Sequence, residues 1–177
     1  SFRLDIIRMA SVVRVASRPL RKHVFSNSSL KVKHRILQAG SLVFSRGLVA
    51  ASAWPRLLGV ERKTIHAAIM TVYRAIAAEE RWRLSKLNDL EVLEKLDVPS
   101  PAVTLRIKRR RLFTALVVRI LVIVATGCDA KNSWLSTIVD DLAWAAQRTV
   151  ALDSMIGASL ATWVQRISNE PTNSFTL

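Results

Sequence analysis

A run of basic residues between Leu105 and Leu112 has the clearest chemical potential in this sequence. The run reads Leu-Arg-Ile-Lys-Arg-Arg-Arg-Leu, and no acidic residue occurs from Val98 to Cys128. Guanidinium and ammonium groups at this density are suited to phosphate oxygens. Base-specific reading is not expected, because no Asn or Gln accompanies the cations. The run predicts contacts with a nucleic-acid backbone through Arg106, Lys108, Arg109, Arg110 and Arg111.

The five cations would surround a helix. At about 100° per residue, Arg106, Arg109 and Arg110 share one face, and Lys108 and Arg111 lie on the opposite side. They cannot all be solvated on one outward face of a packed bundle. The helix start must therefore project beyond the core or lie against something negative. A solvated helix end and a membrane or protein partner are the alternatives to phosphate.

Lys31, Lys33 and Arg35 form a second basic group, within an interval from Asp5 to Glu61 that holds ten Lys/Arg and no acid. Cations at a helix start oppose the helix dipole, so a phosphate partner would explain their placement. An ordinary charged face with acidic neighbours elsewhere is the alternative. The formal net charge of +14 at pH 7 comes mainly from these two blocks, which favours a polyanionic partner.

The sequence contains no strong catalytic or metal-binding motif. The pair Asp140-Asp141 lies in a stretch with helical periodicity, whereas the metal-binding aspartates of polymerases sit at a strand turn. The three histidines are scattered, and the single cysteine, Cys128, excludes a multi-thiolate zinc site. No glycine-rich phosphate loop is present. We expect no metal, no cofactor and no catalytic residue in this chain.

Apolar residues recur at helical spacing almost throughout, and glycine and proline number only five each. The pattern predicts an all-α bundle of six to seven helices. Each of four helices is expected to have one inward apolar stripe: Val32, Ile36, Ala39 and Val43; Ile65, Ile69, Val72 and Ile76; Leu135, Ile138, Leu142 and Ala145; and Ile156, Leu160, Trp163 and Ile167. The predicted helices cover residues 2–17, 30–53, 61–82, 89–96, 101–126, 133–149 and 153–167.

Specific residues are expected to end, start or pack these helices. Arg18-Pro19 should end the first helix, because the residue before proline avoids helical geometry. Gly40 and Gly47 should share one face where a neighbouring backbone approaches. Asp153 should cap the last helix and direct Ile156 inward. Most tryptophans are expected to pack in the core rather than to stack on bases.

The domain prediction is an N-terminal helical region over 1–87, a C-terminal region over 88–170 in one packed unit with it, and a tail over 171–177. Residues 89–126 have a helix-turn-helix-like outline. Leu112 to Ala125 is apolar except for Thr114 and Arg119, and is too short to span a bilayer comfortably, which takes about 20 residues. A core helix is the preferred interpretation, with a membrane surface as the alternative. No signal peptide is visible. An intracellular location is expected, with the compartment left open between the nucleus, an organelle and others.

Three segments carry a family resemblance. A basic Leu-Lys-Val-Lys-His-Arg stretch begins at Leu30, Ser41 to Trp54 follows, and a helix closes in Met-Thr-Val-Tyr-Arg-Ala at Ala75. This order resembles the region just after the polymerase core of LINE-type (non-LTR) retrotransposon reverse transcriptases. Farther on, the similarity extends to residues 110–112 and 133–144, so that it covers about 18–145. Phe44-Ser-Arg-Gly47 departs from the family, whose aromatic and glycine are adjacent.

The resemblance implies a helical thumb or connector that helps to hold template and primer. The polymerase palm with its metal-binding aspartates is absent, so no catalytic residue is carried over. The parent protein would be an RNA-directed DNA polymerase. The alternative is a structural subunit of a larger assembly, such as a ribonucleoprotein or an organellar membrane complex. Its basic blocks would then meet RNA, lipid or acidic partners.

Overall fold

The computed structural model describes residues 2–78, 87–125, 133–148 and 154–169. If the helical segments between Val32 and Gly47 are counted as one, these residues form seven helices and contain no strand, which confirms the all-α prediction. The α-helices are α1 (Phe2–Leu20), α2 (Val32–Ala39), α3 (Ser45–Gly47), α4 (Gly59–Ala77), α5 (Asp89–Leu96), α6 (Pro101–Ala125), α7 (Ser133–Ala146) and α8 (Leu160–Asn169). Two π-helical turns, Arg21–Phe25 and Gly40–Phe44, and a 3-10 turn, Ala51–Ala53, complete the described elements.

The chain divides into two compact units. The first unit comprises residues 1–50 and 57–104, and the second comprises 51–56 and 105–177. This division differs from the predicted boundary at 87/88. The helix α5 packs against α4 and therefore belongs to the first unit. The boundary between the two units falls inside α6, where the helical periodicity of the sequence continues without a break.

The core of the first unit is built around α4. The helix α1 packs along α4, and α2 and α5 also contact it. The predicted stripe of Ile65, Ile69, Val72 and Ile76 is fully buried, as its helical spacing indicated. Tyr73 adds an edge-to-face contact with Phe44, with ring centroids 5.6 Å apart.

Pro19 does not end the first helix. The helix α1 runs through Pro19 to Leu20, which keeps helical geometry at φ −73° and ψ −25°. A proline removes one hydrogen bond and disfavours helix at the preceding residue, but tertiary packing can hold it inside a helix. Here the chain continues into the first π-helical turn, where the Ser26 amide donates to the Arg21 carbonyl at 3.1 Å. That turn brings Phe25 into the core.

The two helical glycines lie in different surroundings. A Cβ on Gly47 would collide with the side chain of Val13, so glycine allows α1 to approach closely here. A Cβ on Gly40 would meet nothing within 4 Å. The π-helical turn between them changes the number of residues per turn, and the shared face predicted from a spacing of seven is lost. Val32, expected inward, is exposed.

The helix α5 has the predicted bounds and a complete capping box. The Asn88 side chain accepts from the Glu91 amide at 2.9 Å, and the Glu91 carboxylate accepts from the Asn88 amide at 2.7 Å. Two amides that the first turn leaves unpaired are thereby satisfied. Asp97 ends the helix in the left-handed region at φ 51°.

The core of the second unit combines α6, α7 and α8. Its inward residues on α7 are those predicted, among them Leu135, Ile138 and Leu142. On α8, Trp163 and Ile167 are buried as expected, but Ile156 is exposed. Gly157, at φ 80°, separates Ile156 from α8, and Ser159 caps the helix by accepting from the Thr162 amide at 3.2 Å.

Some predictions concern residues that the structure does not describe. Trp82, Gly127, Cys128, Asp153 and the tail over 171–177 lie outside the described residues. For the apolar segment predicted to be a core helix, Phe113 is buried in the second unit, and side chains 114–125 lie outside the description. Within the described residues, no helix combines the length and apolar character needed to cross a bilayer.

Candidate nucleic-acid interface

The side chain of Arg109 is buried and does not face solvent. It lies on the buried side of α6, four residues from both Leu105 and Phe113, which are buried with it. Its Nε donates to Asp141 Oδ2 at 2.6 Å and its Nη2 donates to Asp141 Oδ1 at 3.2 Å. The Asp141 side chain is itself only 5% exposed. Asp141 of α7 thus supplies a negative charge to the basic run of α6.

Arg106 lies at the edge of this ion pair and against an aromatic ring. Its Nε is 3.4 Å from Asp141 Oδ1, and its guanidinium carbon lies 4.8 Å from the centroid of the Trp144 ring. The guanidinium carbon of Arg148 lies 4.3 Å from the same centroid. Trp144 is therefore in contact with two cations in cation–π geometry.

Lys108, Arg110 and Arg111 form the outer basic group of α6. Arg111 is exposed, and Lys108 and Arg110 are half-buried. Burial lowers the pKa of Lys108, and the charge of Arg111 lowers it further. The same two causes lower the pKa of Arg110. Like charges are thus concentrated where water is partly excluded, and an anion bound there would stabilise them.

The second predicted basic group separates into two kinds of residue. Lys31 and Lys33 are exposed at the start of α2. Arg35 is half-buried and donates to backbone carbonyls: its Nε donates to Leu30 at 2.9 Å and its Nη1 to Phe25 at 3.1 Å. Arg35 therefore satisfies the carbonyls of the loop before α2, a structural role. Lys31 and Lys33 belong to the first unit, whereas the outer group of α6 belongs to the second.

Sequence reasoning missed Asp141, Trp144 and Arg148 as members of the site. A signal for Asp141 was present, because it lies three residues after Ile138 and four before Ala145, both on the inward stripe of α7. An acid on an apolar stripe needs a cation, and α6 is the basic helix of the chain. Arg148 follows Trp144 by four residues, a spacing that places the two side chains together on a helix.

The aspartate pair has no arrangement typical of metal catalysis. Asp141 is occupied by Arg109, and the exposed Asp140 carboxylate lies 3.5 Å from Arg56 Nη1. Among the described residues there is no cluster of three or more histidine, cysteine or acidic side chains that could hold a metal ion. His66 lies 2.7 Å from Asp89 Oδ2, in an ion-pair cluster of the first unit.

Comparisons with known proteins identify no relatives. No protein-family model matches the chain, and neither a curated protein nor a solved structure matches it.

Proposed function

We propose that this chain is a non-catalytic helical region that binds the phosphate backbone of a nucleic acid. The observation that carries the proposal is the outer basic group of α6, formed by Lys108, Arg110 and Arg111. Three cations within about one turn of α6 offer phosphate oxygens several charge-assisted hydrogen bonds at once. Burial and, to a smaller extent, the charge of Arg111 lower the pKa of Lys108, so a bound phosphate would favour the charged form of this lysine.

The buried ion pair contributes to this function indirectly. Arg109 joins α6 to α7 through two hydrogen bonds, and this fixes the rotation of α6 about its axis. Arg111 is then directed outward, with Lys108 and Arg110 on its flanks. We therefore retain Lys108, Arg110 and Arg111 as phosphate ligands and assign Arg109 to positioning. Lys31 and Lys33 would add contacts from the first unit.

The biological setting that we propose is the one implied by the resemblance to LINE-type retrotransposon reverse transcriptases. In that setting the chain is a thumb or connector, and the parent protein is an RNA-directed DNA polymerase. A thumb holds the template–primer by its backbone, so it needs affinity for phosphate and little preference for sequence. The absence of Asn and Gln from the basic run supports this mode of binding.

The test is a fluorescence-anisotropy titration of the purified chain with a short oligonucleotide over a salt series. The variant Lys108→Ala/Arg110→Ala/Arg111→Ala should bind more weakly, and its log–log salt slope should shrink by about 2 to 3, at about 0.7–0.9 per lost phosphate contact. The matched control, Arg3→Ala/Arg8→Ala/Arg14→Ala, removes the same charge from α1 and should keep most of the slope. Equal losses in both variants, or no binding by the folded chain at low salt, would contradict the proposal.

A second candidate function is supported by the outer face of α1. Leu4, Ile7 and Val15 are exposed there at 64%, 48% and 56%. Four arginines lie around them, and within the described part of the chain none of the four forms an ion pair: Arg3, Arg8, Arg14 and Arg18. Apolar side chains bordered by cations favour a partner surface that is both apolar and acidic.

On this second candidate, the chain is a structural subunit of a larger assembly and α1 is its contact surface. Without its partner, the isolated chain should leave these apolar side chains exposed and should aggregate as its concentration rises, as measured by size-exclusion chromatography with light scattering. The variant Leu4→Gln/Ile7→Gln/Val15→Gln should be monomeric and should keep its affinity for oligonucleotide. A monomeric parent chain would argue against this candidate and leave phosphate binding untouched.

A further inference from the structure

Trp144 and Arg148 are in cation–π contact, beside Arg106 of α6. The Arg148 guanidinium carbon lies 4.3 Å from the centroid of the Trp144 ring, and its Nη1 donates to the Trp144 carbonyl at 3.4 Å. Arg148 is exposed and Trp144 is partly buried. The guanidinium group is thus held by the ring and by the Trp144 carbonyl, and solvent reaches it.

We infer that Arg148, supported by Trp144, is the stacking site for an unpaired nucleobase. The inference rests on the proposed function and deepens it, because it specifies that the bound nucleic acid contains an unpaired, single-stranded segment. Unstacked bases are bound by aromatic side chains and by guanidinium planes. A base in a duplex is stacked between its neighbours and offers no free face to such a site.

The position of this pair relative to α6 supports the inference. Arg106 contacts the Trp144 ring at 4.8 Å, and Arg110 follows Arg106 by four residues on the same helix. A strand whose base stacks on Arg148 would therefore have a further phosphate ligand, Arg110, about one helical turn along α6 from the residue that contacts the ring. Both halves of the site belong to the second unit.

The surroundings of Trp144 differ from those of the tryptophans that pack in the core. Trp163, the buried tryptophan of the same unit, is fully enclosed by apolar residues. Trp134 is partly buried, and its Nε1 donates to the Ser52 carbonyl at 2.9 Å. Trp144 instead contacts two guanidinium groups. Two cations gathered on one ring give a positively charged surface, which suits the electron-rich face of a base together with its phosphate.

The experiment compares two single-stranded oligonucleotides of equal length and charge, one with bases and one with abasic sugars throughout. Anisotropy titrations over a salt series then compare the two strands at each salt concentration, and this comparison measures the contribution of the bases alone. The parent chain should bind the base-bearing strand about five- to a hundredfold more tightly than the abasic strand. Arg148→Ala and Trp144→Leu should each bring this ratio close to one. The salt slope should stay unchanged in Trp144→Leu and should fall by less than about 1 in Arg148→Ala, which removes one cation. The control Trp134→Phe should keep the ratio.

The outcomes separate the inference from the proposed function. If the parent chain binds both strands equally, with a steep salt dependence, stacking is overturned and phosphate binding stands. If the ratio persists in folded Arg148→Ala, the base is bound elsewhere and the inference is wrong. If neither strand binds at low salt, both proposals are overturned. Arg148 is exposed, so its replacement keeps the test valid even where Trp144→Leu fails to fold.

Discussion

Arg109 and Asp141 form a buried ion pair with two hydrogen bonds, at 2.6 and 3.2 Å, between α6 and α7. The two side chains are 8% and 5% exposed. Forming such a pair requires removing both charges from water, so its net contribution to stability is small. Breaking it is costly, because one buried charge is left without its partner. The pair thus specifies which face of α6 is buried.

Asp141→Asn should destabilise the second unit by about 3–5 kcal/mol, because Arg109 keeps its charge and loses its compensation. Urea unfolding followed by tryptophan fluorescence is a suitable measurement, since Trp54, Trp134, Trp144 and Trp163 all lie in the second unit. The control is Asp140→Asn. The Asp140 side chain is 59% exposed, and the loss of its contact with Arg56 should cost less than about 1 kcal/mol.

The double variant Arg109→Met/Asp141→Leu gives a sharper test of the same pair. Replacing both charges by apolar side chains of similar size should recover most of the stability lost in Asp141→Asn. A double variant as unstable as the single one would show that the pair contributes something beyond charge compensation.

Gly47→Ala should destabilise the first unit by about 1–3 kcal/mol, because the new methyl group overlaps Val13 and α1 must move away. Thermal unfolding followed by circular dichroism measures the change. Gly40→Ala is the matched control, since Gly40 has helical geometry and open space around its Cα. It should stabilise by about 0.4–1 kcal/mol. Equal effects at both positions would refute the close approach at Gly47.

Asp89 should make the stability of the first unit depend on pH. A hydrogen bond from His66, with the charge of Arg74, lowers the pKa of the Asp89 carboxyl. A carboxyl whose folded pKa is lowered stabilises the protein above its unfolded pKa of about 4, and this contribution is lost as the pH falls through the folded pKa. Asp89 is 43% exposed, so solvent screening limits the effect to about 0.5–1 kcal/mol.

The measurement for Asp89 is urea unfolding of the parent chain and Asp89→Asn at several pH values. The difference in unfolding free energy should be largest near neutral pH and should shrink below about pH 4. Glu94→Gln removes an exposed acid from the same helix and serves as the control. A difference that does not change with pH would mean that Asp89 acts through something other than its charge.

Arg111→Ala should raise the pKa of Lys108 towards its ordinary value. Burial, the larger cause of the lowering, remains in the variant, but the repulsion from Arg111 is removed. The titration can be followed by NMR of the lysine side chain. Arg3→Ala, on α1, should leave the pKa of Lys108 unchanged. Adding an oligonucleotide to the parent chain should also raise this pKa, because a bound phosphate favours the charged form.

Helices and their inward stripes were predictable wherever local signals agreed. The periodicity of Ile65, Ile69, Val72 and Ile76 predicted the buried face of α4. Asn88 and Glu91 mark the start of α5, and Pro101 marks the start of α6. These features depend on residues within one or two turns of one another, so a sequence contains all the information that they need. The continuation of α1 through Pro19 and the surroundings of Gly40 were harder to predict. Both lie at π-helical turns, which alter the local spacing of residues and arise from packing.

The sequence by itself therefore determined the all-α class, most helices and the concentration of positive charge on α6. Only the tertiary structure decided which of those charges face outward. Arg109 and Arg111 are two residues apart in one basic run, yet one is buried against Asp141 and the other is exposed. The reason is that the partner of Arg109 lies 32 residues farther along the chain. Local spacing does not encode such a long-range pairing, which arises when two helices pack.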